Sequence, residues 1–329
     1  MHVNFNSVDL SLSGGNRFIF ELSNSLVDRG YKVTITHVGL KYYHNWFSPI
    51  KAEIIDCGYS VPERAFLRLI NKRPSMRDME IRLSRNVPDC DVNVATYCMT
   101  AYSTVESRKG RMFYLVQNYE PWFFDDKSTQ ERASATYDMP LKKLCVSRWL
   151  TEKVNGEYIG NGVNLRRFKL LSSGQKSGYP FRVMAFLRNI PWKGDKLIVD
   201  AINVLKTKLP CVVVIPRKVT DEQLVRLYNE SDVLLYASKF EGFGYSPLEA
   251  MACGLPVVTT KCLGIDEYAQ DGINALVADD NPVSLASAIK AVLIDEKLKS
   301  KLVKAGLETA KQYDFEKVVD RFESCIGSS

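Results

Sequence analysis

The chain has 329 residues, 46% of them hydrophobic and 25% charged, and its 44 Lys+Arg against 38 Asp+Glu give a formal net charge of +6. That length suits two α/β domains better than one small core, the composition is that of a soluble globular enzyme, and no run approaches the roughly 18 apolar residues of a membrane span. So modest a charge excludes a protein that lives on nucleic acid, and the opening "MHVNFNSVDL" lacks the basic leader and apolar core of a signal peptide, so a cytoplasmic location is expected.

The first predicted elements are a strand over "HVNFNSV", a turn holding Gly14 and Gly15, and a helix over "RFIFELSNSLVDRG", in which Phe18, Ile19, Leu22 and Leu26 repeat at helical spacing before Gly30. "YKVTITHV" follows as a buried strand, completing a βαβ unit whose glycine turn can face an anion with backbone amides. After the short strand "AEIIDC" comes a basic segment, residues 63–86, with seven Lys/Arg against three Asp/Glu and with Phe66, Leu67, Leu69 and Ile70 between the charges. It reads as a solvated basic helix covering the sheet, or as a peripheral contact with an anionic membrane or an acidic acceptor. "DVNVATY", "MFYLVQN" and "KKLCVS" add strand-length apolar runs, and strands alternating with helices imply a parallel sheet covered on both faces.

A looser segment, "NGVNLRRFKLLSSGQKSGYP", marks a domain change, after which the pattern restarts with "FRVMAFL", "CVVVIP", "VLLYAS", "PVVTT" and "NALVA" and the helices between them. The expected organisation is an N-terminal Rossmann-like domain over 1–158, a C-terminal one over 159–310, and a final helix, 311–329, packing back on the first domain. Two doubly wound halves place a ligand in the crevice outside the carboxyl ends of their strands. The eight cysteines form no CxxC pair, and the three histidines, His2, His37 and His44, have no metal-ligand spacing, so buried free thiols and no metal site are expected.

Two stretches carry chemistry. In "EGFGYSPLEAMACG" Ser246, Pro247 and Glu249 fit the first positions of a capping box, which accounts for Glu249 by helix chemistry alone. Glu241 and the "GFG" ahead of the cap are not so explained, and a phosphate would suit that helix start, with Glu249 placed to accept the vicinal hydroxyls of a sugar. In "RNIPWKG", Arg188 and Lys193 supply two cations at a strand end beside a helix start, a two-pronged donor and a mobile point charge of the kind a diphosphate requires.

In order along the chain, "SGGN…ELSNSLVDRGYKVTI", "NGVNLRRF", "RNIPWKG", "SKFEGFGYSPLEAMACGLPVV" and "DEYAQDGINALV" resemble the landmarks of glycosyltransferase family 4, retaining enzymes of the GT-B fold with two Rossmann-like domains facing an interdomain cleft. The resemblance implies that Glu249 binds ribose hydroxyls of a nucleotide sugar, that Glu241 faces the transferred sugar, and that Arg188 and Lys193 hold the diphosphate. It also implies that the amides of Phe243, Gly244 and Tyr245, with the helix start at Ser246, contact sugar and phosphate. Arg217 and Val219 would lie by the base, and Gly15 by the phosphates and acceptor. No cofactor beyond the nucleotide-diphosphate sugar is implied, the acceptor being a hydroxyl of a glycan, lipid or protein-linked saccharide.

The chain departs from that pattern where many members carry a first-domain histidine. Tyr97, Cys98 and Thr100 stand there instead, and the following "QNYEP" looks like a variant found in bacterial rhamnosyltransferases of the family, with Pro121 keeping Glu120 extended toward acceptor or donor sugar. Retention with no assured protein nucleophile fits a front-face route in which a donor phosphate oxygen takes the acceptor proton, a step the resemblance alone implies. The rivals are a non-catalytic nucleotide-sugar or glycan-binding protein on the same scaffold, a GT-B epimerase, a metal-dependent enzyme using the "DCD" at 89–91, and a dinucleotide oxidoreductase. The last is weakened because "SGGNRF" lacks G-x-G-x-x-G.

Overall fold

A computed structural model describes residues 1–39, 46–47, 49–69, 74–172 and 179–327. His44, Ile70, the side chain of Leu67 and the centre of the Ser/Gly-rich linker lie outside the described residues. Two compact units emerge, Met1–Gly160 with Val319–Ser329, and Asn161–Val318.

The first unit opens with β1 (His2–Ser7) and α1 (Gly14–Asp28), whose first turn is capped by the Ser13 side chain accepting from the Asn16 amide. Then come β2 (Lys32–His37), β3 (Glu53–Asp56), α2 (Val61–Leu69), α3 (Met76–Asn86), β4 (Val92–Ala95), α4 (Cys98–Ser107) and β5 (Arg111–Val116). α5 (Lys127–Ala135), β6 (Lys142–Cys145), α6 (Arg148–Val154) and β7 (Glu157–Tyr158) complete the run. Among the described residues the strands form a parallel seven-stranded sheet in the order β3-β2-β1-β4-β5-β6-β7. The order reverses between β1 and β4, where a doubly wound sheet leaves a crevice at its carboxyl edge. Inside the sheet Asn4, Asn6 and Asn93 are fully buried and bonded to one another, and the Thr34 and Thr36 hydroxyls both donate to Asn4 at 2.8 Å.

The basic segment predicted as one helix is two, α2 and α3. Two of its arginines are matched by acids, Arg77 by Glu106 and Arg82 by Glu63, while Arg132 reaches its Glu80 from α5. Phe66 and Leu69 remain 60% and 83% exposed on α2.

The second unit contains β8 (Phe181–Ala185), α7 (Asp195–Lys206), β9 (Cys211–Val214), α8 (Asp221–Glu230), β10 (Val233–Tyr236), α9 (Tyr245–Ala252), β11 (Val257–Thr260) and β12 (Leu276–Ala278). α10 (Pro282–Ile294), α11 (Glu296–Gln312) and α12 (Phe315–Gly327) follow. Its parallel sheet has the order β12-β11-β10-β8-β9, so the switch point lies between β8 and β10. Val183, Leu235 and Val258 from the strands meet Ile198, Ile202, Leu285 and Ile289 from α7 and α10 in its core. From Val319 onward α12 belongs to the first unit, where Phe322 stacks on Phe5 at 5.9 Å and Arg29 pairs with Asp320 at 2.7 Å. Among the described residues no helix is long and apolar enough to cross a membrane.

Candidate active site

The switch point of the second unit holds one of its buried ion pairs. The loop after β8 brings Lys193, and the loop after β10 brings Glu241, so two residues far apart in sequence meet across the point where the strand order reverses. Lys193 Nζ lies 2.6 and 2.8 Å from the two Glu241 oxygens. Glu241 Oε1 also accepts from Tyr236 Oη at 2.6 Å and Ser238 Oγ at 2.7 Å, and only 7% of the residue is exposed. Enclosure, and then the Glu241 charge, push the Tyr236 hydroxyl well above its usual range and keep it a donor.

The two loops are locked together. Trp192 stacks on Phe240 at 5.5 Å and its carbonyl accepts from the Lys239 amide at 2.9 Å. Gly194 has φ +72°, and a Cβ there would lie 1.9 Å from the Ala237 carbonyl oxygen, so only glycine lets α7 start this close to β10. Arg188, exposed on the same loop after β8, lies with its guanidinium carbon 4.9 Å from the centre of the Phe186 ring.

The helix after Glu241 starts differently from the sequence expectation. Gly244, at φ +91°, is the N-cap, Tyr245 opens α9, and no side chain caps it, so Ser246 and Pro247 already lie inside the first turn. The physical reason is packing. A Cβ on Gly244 would meet Ile265 Cγ1 at 2.7 Å, and Tyr268 Oη donates to the Gly244 carbonyl, which fixes the left-handed turn one step before the serine. Phe243 is buried, its ring tilted against Tyr268 at 5.1 Å and edge-on to Tyr245, the first residue of α9, at 6.3 Å. Glu249, 3% exposed, accepts from Tyr228 Oη at 2.8 Å. Arg217 is exposed and Val219 half-buried in the loop between β9 and α8.

In the first unit Gly15 lies in the first turn of α1, and a Cβ there would come within 3.3 Å of the Gln117 side chain, which reaches over from the loop after β5. Tyr97 is half-buried at the N-cap of α4, at the switch point. Thr100 is fully buried, and its hydroxyl accepts from the Thr96 and Tyr97 amides at 2.9 and 3.0 Å, so it shapes that turn instead of facing a ligand.

Glu120 departs further from expectation. It is not extended but opens a 3-10 turn, Glu120–Phe123, and it is 2% exposed. Its carboxyl group accepts from the Cys98 amide at the start of α4 and from Tyr114 Oη at 2.9 Å, while its own amide donates to Tyr137 Oη. Proline suits the first turn of a helix as well as an extended chain, and here it takes the first use. Burial pushes the Glu120 carboxyl up to about 7. In the DCD tripeptide Asp91 accepts from the His2 amide and Asp89 pairs with Lys109 at 3.1 Å. Among the described residues no group of three or more His, Cys, Asp or Glu is placed to hold a metal ion.

The partners of these residues escaped sequence reasoning. Ser238, three positions before Glu241, and Tyr236, at the strand end, were legible as neighbours but carry no motif of their own. Tyr228 lies on another helix from Glu249, and no local pattern connects them.

Two parallel Rossmann-like α/β units in tandem define the GT-B fold. The chain superposes on HepE of Anabaena in complex with UDP-glucose with a TM-score of 0.78 over 100% of both chains at 18% identity. On sucrose-phosphate synthase of Thermosynechococcus elongatus the TM-score is 0.77 over 98% of both chains at 15% identity. Residues 191–309, which contain Lys193, Glu241 and α9, match the family model described as Glycosyl transferases group 1. The chain is 29% identical over 206 residues to an uncharacterized glycosyltransferase of Methanocaldococcus jannaschii, covering 54% of this chain and 57% of that protein. It is 40% identical over 99 residues to O-antigen chain mannosyltransferase B of Escherichia coli, covering 30% of this chain and 26% of that protein. The aligned stretches thus span about half of the first relative's length and a quarter of the second's.

Proposed function

We propose that this protein is a retaining, metal-independent glycosyltransferase that moves a hexosyl or deoxyhexosyl group from a nucleotide-diphosphate sugar to a hydroxyl of a glycan or lipid-linked acceptor. The observation that carries this reading is the Lys193–Glu241 pair at the β8/β10 switch point, beside the amino end of α9 and within the matched stretch 191–309. As the donor's bond breaks, negative charge develops on the departing diphosphate. Arg188, Lys193 and the backbone amides of Phe243, Gly244, Tyr245 and Ser246 meet that charge, and preorganised donors of this kind act without solvent reorganisation. Glu241 keeps Lys193 in place and orders the sugar's hydroxyls.

Glu249 accepts from the ribose and Arg217 and Val219 flank the base, while Gly15 and Tyr97, on the first unit's carboxyl edge, serve the acceptor. The exposed Phe66 and Leu69 on α2, among basic residues, give the protein a peripheral hold on an anionic membrane where a lipid-linked acceptor is presented. The first donor to test is UDP-glucose. A thermal-shift screen of nucleotide sugars, followed by donor hydrolysis with and without saccharide acceptors, checks the reading. Glu241→Ala and Lys193→Ala should each lower turnover by about 100-fold or more. Wild-type turnover in both variants would overturn the site, and donor binding with no hydrolysis or transfer at all would make the protein a binder on this scaffold.

A further inference from the structure

The Glu241 carboxylate is served by donors from two different loops. Lys193 comes from the loop after β8, whereas Tyr236, the last residue of β10, and Ser238 belong to the same stretch of chain as Glu241, five and three positions before it. The donors are also divided unevenly between the two oxygens. Oε1 accepts from Lys193 Nζ at 2.6 Å, Tyr236 Oη at 2.6 Å and Ser238 Oγ at 2.7 Å. Among the described residues Oε2 accepts from Lys193 alone, at 2.8 Å.

Everything around this carboxylate is fastened except the lysine. A Cβ on Gly264, in the loop after β11, would lie 2.5 Å from the Glu241 carbonyl oxygen, and the Gly194–Ala237 and Trp192–Phe240 contacts hold the loop after β8 against the same stretch. Ser238 is buried, and the Tyr236 hydroxyl stays protonated through burial first and the Glu241 charge second. Lys193 is a point charge on a rotatable four-carbon stem, and among the described residues its ammonium bonds only the two Glu241 oxygens. Taking the cation from a buried carboxylate is costly when it leaves the charge uncompensated. Two hydroxyls that travel with Glu241 lower that cost, because they remain on Oε1 after the lysine has gone.

We infer that Tyr236 and Ser238 are positioning residues, which hold the Glu241 carboxylate in place and satisfied while Lys193 is handed from it to a ligand of the diphosphate class. Oε2 is the oxygen that this release leaves without a donor, and a hydroxyl of the same ligand takes the vacated place. That the diphosphate belongs to a sugar donor rests on the transferase reading above; the hand-over does not. The test is titration calorimetry of the full chain with inorganic pyrophosphate. The wild type should bind it and Lys193→Met should lose most of that binding. Tyr236→Phe, which keeps the ring and removes the hydroxyl, should weaken it about tenfold, as expected for one hydrogen bond to a charged group, and Ser238→Ala should act in the same direction. The deciding measurement repeats Tyr236→Phe in a Glu241→Gln background. There Lys193 has no carboxylate to leave, so affinity should change by less than about twofold. Equal weakening in both backgrounds would make Tyr236 a packing residue and overturn the inference, as would wild-type affinity in Tyr236→Phe or the absence of pyrophosphate binding. Hydrolysis of nucleotide sugars by the same samples keeps the two readings apart. Pyrophosphate affinity that depends on Tyr236 through Glu241, without any turnover, sinks the transferase reading alone, whereas turnover with a Tyr236-independent affinity sinks the hand-over alone.

Discussion

Glu241 in the second unit and Glu120 in the first both follow the carboxyl end of a strand and both are nearly buried, at 7% and 2% exposure. Glu241 has a cation on both oxygens and two hydroxyls on one of them. Glu120 is bordered by Tyr114, Tyr137 and the start of α4, and its burial favours the protonated form. Similar positions in two parallel sheets have therefore become different devices. One is an ion pair between two loops, reinforced by two hydroxyls; the other is a carboxyl group, pushed toward its protonated form by burial, that fastens a loop to the start of α4.

The comparison breaks most severely at Gly194. Gly194→Val should cost at least about 3 kcal/mol, from the left-handed backbone and the collision with Ala237, and lower the melting transition by roughly 6–12 °C. Gly272, at φ +66° but with nothing within 4 Å of an added Cβ, is the control: Gly272→Ala should cost only about 1 kcal/mol. Equal losses in the two variants would mean that the loops after β8 and β10 are not locked.

Next is the pH dependence of the first unit. Between the ordinary carboxyl value of 4.5 and the folded value of about 7, the folded chain keeps a Glu120 proton that the unfolded chain has lost, so stability falls as pH rises through that window. Glu120→Gln removes this slope and should gain on the wild type with rising pH, by on the order of a few kcal/mol at the upper end. Parallel stability curves for the two proteins would place the ionisation elsewhere. The smallest effect is expected at Tyr228→Phe, which removes one hydrogen bond to Glu249 and should cost about 1 kcal/mol in denaturant unfolding, with weakened donor binding as the accompanying readout.

The architecture was legible because the alternation of strands and helices restarts visibly after the linker, and because inner strands such as β5, β8 and β10 read as short, largely buried apolar runs. Glu241, Lys193 and the "GFG" turn could be singled out from residue type and position. Their mutual pairing could not, since it depends on a strand order in which β10 lies beside β8. The helix start was misplaced because S-P-x-E satisfies a local capping rule, whereas contacts from Ile265 and Tyr268 select Gly244. Glu120 was misread for a similar reason: proline permits either backbone, and Tyr114, Tyr137 and the start of α4 decide between them.

The asparagine cluster within the first sheet has a consequence for how that edge comes to exist. Within β1 Asn4 donates to Asn6 at 3.0 Å, Asn93 of β4 accepts from Asn4 at 3.1 Å and from Asn6 at 2.7 Å, and Asn6 also donates to Thr104 of α4 at 2.8 Å. Apolar strands tolerate sliding because one aliphatic neighbour serves nearly as well as another. A slip of one residue here would instead turn these amides to the opposite face and strand their polar groups without partners, at roughly 1–3 kcal/mol each. The cluster thus disfavours misaligned pairings of β1 with β4 and fixes the register from which the loops bearing Gly15 and Tyr97 leave the sheet.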